Sequence, residues 1–228
     1  MLKTLTRLAA LCVIVALPAQ ADYYGKYYGN PVYEVTITNI TKAVRFTPIL
    51  VATHRPSISF FELGAPASDE LALMAEDGAT GPLTEALAAT GKVIDTANSA
   101  DVLPAPPLLG AGESVTVTLE GANRRVRLSM AAMLLPTNDS FMALNGVSLP
   151  RRGSRVYYAL GYDAGSEPND EFCMDIPGPT CGGVGASPEA GGEGHVHIAN
   201  GIHGGADLNP SVYDWRNPVA RIVVKRVR

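Results

Sequence analysis

The chain has 228 residues, with 18 Lys and Arg against 22 Asp and Glu and a formal net charge of −4. That length holds one sizeable core or two small ones. The acidic balance gives no electrostatic reason to seek nucleic acid or anionic lipid.

In chain order, the first expectation is a cleavable export signal over residues 1–21. Lys3 and Arg7 supply the positive start, and residues 8–17 form an apolar run too short to span a bilayer comfortably. Ala19-Gln20-Ala21 gives the small-x-small cleavage pattern, which places the mature N-terminus at Asp22. A membrane anchor competes for this run, but no later stretch is long and apolar enough to hold the chain in a bilayer. Cys12 sits in the run behind Leu11, where a lipid-attachment site would want a small residue, so it is lost on processing. Without the signal, sixteen basic residues face twenty-two acidic ones, a net charge of −6.

Residues 22–31 read as a Tyr- and Gly-rich linker. Residues 32–39 alternate apolar and polar with β-branched enrichment and predict a strand. Residues 43–53 predict a second, with Pro48 marking an edge or a bulge, and residues 58–61 a short third. Residues 68–78 carry helix grammar: Ser68 as N-cap, Asp69 and Glu70 in the first turn, Gly78 as the stop. Residues 80–91 repeat it with Pro82 and Gly91. The two short helices are expected in one long connection across a sheet.

Strand texture returns over 113–120 and 125–134, and Gly121-Ala122-Asn123 reads as the hairpin turn between them. Further strands are predicted over 155–162 and 219–227. Residues 177–206 are rich in Gly and Pro, apart from an apolar patch at 196–198. Short strands with a helical insertion and no βαβ rhythm indicate an all-β sandwich over residues 32–228, without internal repeats. The basic residues group only as Arg124-Arg125-Val126-Arg127 and Arg151-Arg152. Strand alternation would turn the first group toward solvent.

The hydrolase, metalloprotease, P-loop and dinucleotide signatures are all missing. Cys173 and Cys181 read as one local disulfide closing a Pro/Gly-rich loop in an exported protein; a redox pair or a thiolate metal site competes, although the spacing is not C-x-x-C. His195 and His197 on a strand would share a face, with His203 after a glycine turn, a plausible Zn²⁺ or Cu²⁺ arrangement. The same pattern also reads as polar residues on an exposed face. A second constellation is oxygen-rich: residues 136–141 after one strand and 161–171 after another put carboxylates on adjacent strand-end loops, the donor type Ca²⁺ prefers. Its acidic spacing is not that of an EF-hand, and solvated acidic loops are the competing reading.

Four ordered blocks then carry a resemblance. His54-Arg-Pro-Ser-Ile-Ser-Phe-Phe-Glu-Leu-Gly64, with Ala67-Ser68 and Ala75-Glu76-Asp77-Gly78, comes first. Met133-Leu-Leu-Pro-Thr-Asn-Asp139-Ser-Phe and Tyr162-Asp163-Ala-Gly-Ser-Glu167 follow, and Pro218-Val-Ala-Arg221-Ile-Val-Val closes the set. From Val32 onward the chain resembles the spondin N-terminal domain, the module of F-spondin, mindin and many exported bacterial proteins. The resemblance implies a C2-like antiparallel β-sandwich with a Ca²⁺ site at one end, whose ligand positions fall on Asp139, Asp163 and Glu167. It also implies binding and not catalysis: a calcium-supported recognition or adhesion module of the periplasm or cell surface, or secreted, with an extracellular or envelope protein or glycan as partner. Two alternatives remain open, a periplasmic enzyme using His195, His197 and His203, and a structural envelope protein with a purely stabilising cation. The chain departs from the animal domains in three places. Glu167 stands for aspartate, Ser140 for tryptophan, and Leu149 and Pro150 stand where those domains have a cysteine. The Gly-rich stretch with Cys173, Cys181 and the histidines resembles only the bacterial members.

Overall fold

The computed structural model describes residues 29–122, 125–187 and 191–228. The export signal, most of the Tyr/Gly linker and Asn123 with Arg124 lie outside those residues. Ten strands form one antiparallel array: β1 (Val32–Asn39), β2 (Arg45–Phe46), β3 (Leu50–His54), β4 (Val93–Asn98), β5 (Ser114–Glu120), β6 (Arg127–Leu135), β7 (Ser140–Ser148), β8 (Ser154–Asp163), β9 (His197–Ile198) and β10 (Ala220–Arg226). Their spatial order is β4-β3-β6-β7-β8-β10-β1-β5, with β2 beside β6 and β9 beside β8.

The array curls until its two ends meet. Thr53 Oγ1 donates to Glu120 O at 2.6 Å, and Glu120 N donates to Asp95 Oδ2 at 2.7 Å, bringing β5 back against β3 and β4. The result is an all-β, nearly closed sandwich. Alternation in the outer strands sets its inside: Tyr33, Val35 and Ile37 of β1 lie beside their cross-strand partners Leu119, Val117 and Val115 of β5 on the core face. On the opposite face of the same pair, Thr36 bonds Thr116 at 2.8 Å and Thr38 bonds Ser114 at 2.7 Å, close to solvent.

Helices α1 (Asp69–Asp77) and α2 (Thr80–Ala89) occupy the connection from β3 to β4 and cover the outer face of β3, β6 and β7. Ser68 Oγ accepts from Leu71 N and so caps the first helix. Gly78 ends it at φ 72°, where its N–H donates to Met74 O. A side chain there would also lie within 2.8 Å of Thr47. Leu71, Met74, Leu83 and Leu87 pack onto Leu50, Ala52, Ala131, Phe141 and Ala143, forming a second core behind the first.

Three expectations fail for identifiable reasons. Residues 43–53 are two strands, not one: the chain breaks at Thr47, whose N–H donates to Met133 O while its Oγ1 accepts from Met133 N, both at 3.1 Å. Pro48 marks that break, since β3 is an interior strand. Residues 58–61 form a loop, held by Phe60 N donating to Asn145 Oδ1 at 3.0 Å and Asn145 Nδ2 donating to Phe61 O at 2.8 Å. Residues 113–120 and 125–134 make no hairpin. β5 pairs with β1, and β6 pairs with β3 and β7, so the two are not partners in the sheet. Strand β7 escaped sequence reading because it opens on a polar block, and β6 and the first half of β7 lack alternation because helices cover their outer face.

Truncating Met74, which is fully buried under β6 and β7, to alanine should lower unfolding free energy by about 2–5 kcal/mol in urea titrations. Leu63→Ala, at a side chain 54% exposed, should stay within about 0.5 kcal/mol of the parent.

Candidate metal centre

Where β6 ends, β7 begins and β8 ends, the strand-terminal loops converge, and the oxygen-rich segments meet there. Register pairs Ser140 with Asp163 across β7 and β8, which sets Asp139 beside Asp163. Asp139 is fully buried, and its Oδ2 accepts from Ser166 N at 2.8 Å, Glu167 N at 3.1 Å and Ser166 Oγ at 3.3 Å. Its Oδ1 is buried and has no hydrogen-bond partner. Burial, and then the Asp163 charge, push the Asp139 carboxyl up to about 7. The amides of Ser166 and Glu167 pull the other way and do not prevail.

Asp163 is 2% exposed. Its Oδ1 accepts from Gly165 N at 2.8 Å and its Oδ2 from Asn169 Nδ2 at 2.9 Å. Burial raises its pKa despite those donors. Glu167 is 1% exposed; its Oε1 accepts from Ser187 N at 3.0 Å, while its Oε2 is buried without a partner. Burial chiefly, with Glu76 and Asp175 adding to it, pushes this carboxyl to about 7. Asp139 and Asp163 therefore lie near enough for their charges to interact, and the Glu167 backbone N–H reaches Asp139, while its carboxylate turns toward Ser187 and Glu76.

The histidines divide. His195 and His197 lie 5.4 Å apart between ring centroids. His203 is elsewhere: its exposed residue is tied by its backbone N–H to Glu171 Oε1 at 2.5 Å. Among the described residues, the three ligand-type side chains whose donor atoms close to within 4.8 Å of one another are Asp163, Glu193 and His197. His197 Nε2 stands 3.3 Å from Asp163 Oδ1 and 3.7 Å from Glu193 Oε2. Its Nδ1 lies 3.0 Å from Ile198 O, where it donates, so the neutral ring turns an Nε2 lone pair toward both carboxylates. Burial holds this imidazole down, but the Ile198 carbonyl, Asp163 and Glu193 raise it on balance.

Sequence reasoning did not single out Glu193, Asn169, Glu76 or Ser187 in this region. Asn169 Nδ2 bridges Asp163 Oδ2 and, at 3.2 Å, Glu193 Oε1. No local signal marks Glu193, because the Gly-rich stretch that carries it has no period. Glu171 was legible only as one carboxylate among several; its Oε2 accepts from Gly204 N at 2.7 Å and Gly205 N at 2.8 Å, so its oxygens tie loops together. Cys173 and Cys181 are joined in a disulfide beside them.

These loops form one wall of a cleft of about 630 Å³, whose other wall is α1 with Ala72, Leu73 and Glu76. Gly165 and Ser166, the residues whose N–H groups bind Asp163 and Asp139, line it.

A carboxyl whose folded-state pKa is raised stabilises the fold fully below its unfolded value and loses that contribution as pH rises through the folded value. For Asp139 and Glu167 the window runs from about 4 to about 7. Chelator-treated protein should therefore show a falling melting temperature across that window, and Asp139→Asn should flatten the fall. A profile identical in parent and variant would remove Asp139 as its source.

Among the described residues no helix is long and apolar enough to cross a membrane. No curated protein matches the chain. The Spondin_N family model matches residues 35–167, more than half the chain, and the matched span runs from β1 through the carboxylate loops to Glu167. Domains of this family are extracellular recognition and adhesion modules, and the disulfide accords with an extracellular setting. On that match the chain belongs to the spondin N-terminal domain family.

Proposed function

We propose that this protein is an exported recognition module whose binding cleft is held in shape by Ca²⁺ on Asp139 and Asp163, with Glu167 as the third ligand once its carboxylate turns from Ser187 and Glu76. The observation that carries the reading is the Asp139 carboxylate, fully buried, within range of the Asp163 charge, with one oxygen left without a hydrogen-bond partner. A buried carboxylate is tolerated when it is protonated or when a cation sits against it. Glu167 Oε2 is the second orphaned oxygen of these loops. Hard oxygen donors of this kind fit Ca²⁺, with loop carbonyls and water completing the shell. A cation there would hold the loop of Gly165 and Ser166 against β7 and β8, and with it one wall of the cleft beside α1. On this reading the partner is an extracellular or envelope protein or glycan met in the periplasm or at the cell surface, and no step of the reading requires catalysis.

A second reading rests on the imidazole. Asp163, Glu193 and His197 offer a nitrogen among their donors, which favours Zn²⁺ over Ca²⁺. The ring is already oriented through Nδ1 and Ile198 O, as metal-ligating histidines usually are. His203 takes no part in that set, so an enzyme site built on His195, His197 and His203 lacks its third ligand.

Calcium at about 100 times its dissociation constant should add roughly 2.7 kcal/mol to the stability of chelator-treated protein. For a chain of this size that is about 5–10 °C in melting temperature. Asp139→Asn keeps an acceptor for the Ser166 and Glu167 amides, removes the charge, and should abolish the increment; His195→Ala should leave it intact. If calcium shifts neither the melting curve nor the calorimetric heat, the calcium reading fails. A zinc-specific shift lost in His197→Ala would favour the second reading.

A further inference from the structure

The opposite end of the sandwich has the opposite charge. β7 runs from the carboxylate loops to Ser148, nine residues or about 27 Å at about 3.4 Å per residue. At its far end β6 begins, β8 begins and β10 ends. Antiparallel pairing sets Arg127 opposite Ser148 and Arg226 opposite Tyr33, while residues 149–153 bridge β7 to β8. The two basic groups of the sequence, 24 residues apart from Arg127 to Arg151, therefore meet. Arg125, Arg127, Arg151, Arg152 and Arg226 line one cavity of about 880 Å³ whose lining contains no acidic residue. Among the described residues none of these five arginines is in an ion pair. By contrast, Arg228 nearby is paired with Glu120 at 3.4 Å.

Two of the five are already fixed in place. Arg127 Nη1 donates to Ser148 Oγ. Arg226 donates through Nε to Arg228 O at 2.7 Å and through Nη1 to Arg151 O at 2.9 Å, which uses two of its five N–H groups. Both are half-buried, whereas Arg125, Arg151 and Arg152 are exposed at the rim. Guanidinium forks held this way match the spacing of phosphate oxygens and bind them bidentately. The cavity volume is that of a small-molecule site.

We infer that this cavity binds a compact ligand carrying two or more neighbouring phosphate groups. Five like charges around one cavity repel each other, and a single carboxylate would offset one of them. Over residues 22–228, apart from these five, eleven basic residues face twenty-two acidic ones. The cavity volume bounds the ligand to a compact one. Such phosphate groups occur on soluble molecules and on lipid headgroups, and the site reads their shared chemistry.

Isothermal titration of the exported protein with inorganic tripolyphosphate, near physiological ionic strength, tests this. Binding is expected, and Arg151→Ala with Arg152→Ala should weaken it about tenfold or more. Those two side chains are exposed, so melting in phosphate-free buffer should not change. Arg216→Ala, at an exposed arginine paired with Asp214, should leave affinity unaltered. A parallel arm uses phosphatidylcholine vesicles with and without phosphatidic acid. Arginine-dependent binding of tripolyphosphate alone supports the site with a soluble source, and arginine-dependent capture by the phosphatidic acid vesicles supports it with a headgroup source. Binding to neither probe, or affinities of parent and double variant within about twofold, overturns the inference.

Discussion

The central constraint is that β6 and the first half of β7 are covered on both faces. The curled sheet closes over one side, and α1 with α2 close over the other. A strand pair buried this way accepts apolar side chains along its length, and unpaired polar groups in its middle would be destabilising. Residues 128–135 and 140–144 are all buried, and only Ser129 and Ser140 among them are polar. Ser129 is satisfied by His54 Nε2 and by Gly146 N, both at 2.8 Å. Charged chemistry is displaced to the two ends of the pair. Asp139 sits at one, and Arg127 faces Ser148 at the other.

The two ends differ in how their charge is held. At the carboxylate end the charge is inside. Asp139 is anchored by two backbone amides yet keeps an orphaned oxygen, and burial outweighs the anchoring. On the proposed reading, that balance makes the loops of Gly165 to Glu167 responsive to a cation as well as to a proton. At the arginine end the charge is at the rim of an open cavity, where water already solvates it. Exposed charges of this kind add little to folding stability.

His197 shows how close the two metal readings lie. Its ring shares Asp163 with the Asp139 side, so one buried carboxylate stands between an all-oxygen donor set and one with a nitrogen. Donor hardness separates them: calcium takes oxygens from flexible loops, and zinc takes the imidazole. The cleft beside α1 belongs to the same loops, which couples whatever fills the site to the shape offered to a partner.

Much of this was present in local sequence. The alternation of β1, β5 and β10 was visible because one face of each meets water. The first helix was visible through Ser68 and Gly78, since capping is a matter of a few neighbouring atoms, and the second through Pro82 and Gly91. The nearness of Asp139 to Asp163 was implied by the oxygen-rich loops and the family blocks, and that of Cys173 to Cys181 by an even count, close spacing and an exported setting. Tertiary structure decided what depends on partners distant in the chain. Strand β7 has no period of its own, because its burial is imposed by α1 and by the curl of the sheet. The separation of β5 from β6, which read as a hairpin, was decided by pairing with β1 on one side and with β3 and β7 on the other. Glu193 joins Asp163 and His197 only because β9 lies on β8. Arg127, Arg151 and Arg226 meet because antiparallel strands bring distant residues to one end of a sheet, a proximity that no pattern within a single strand encodes.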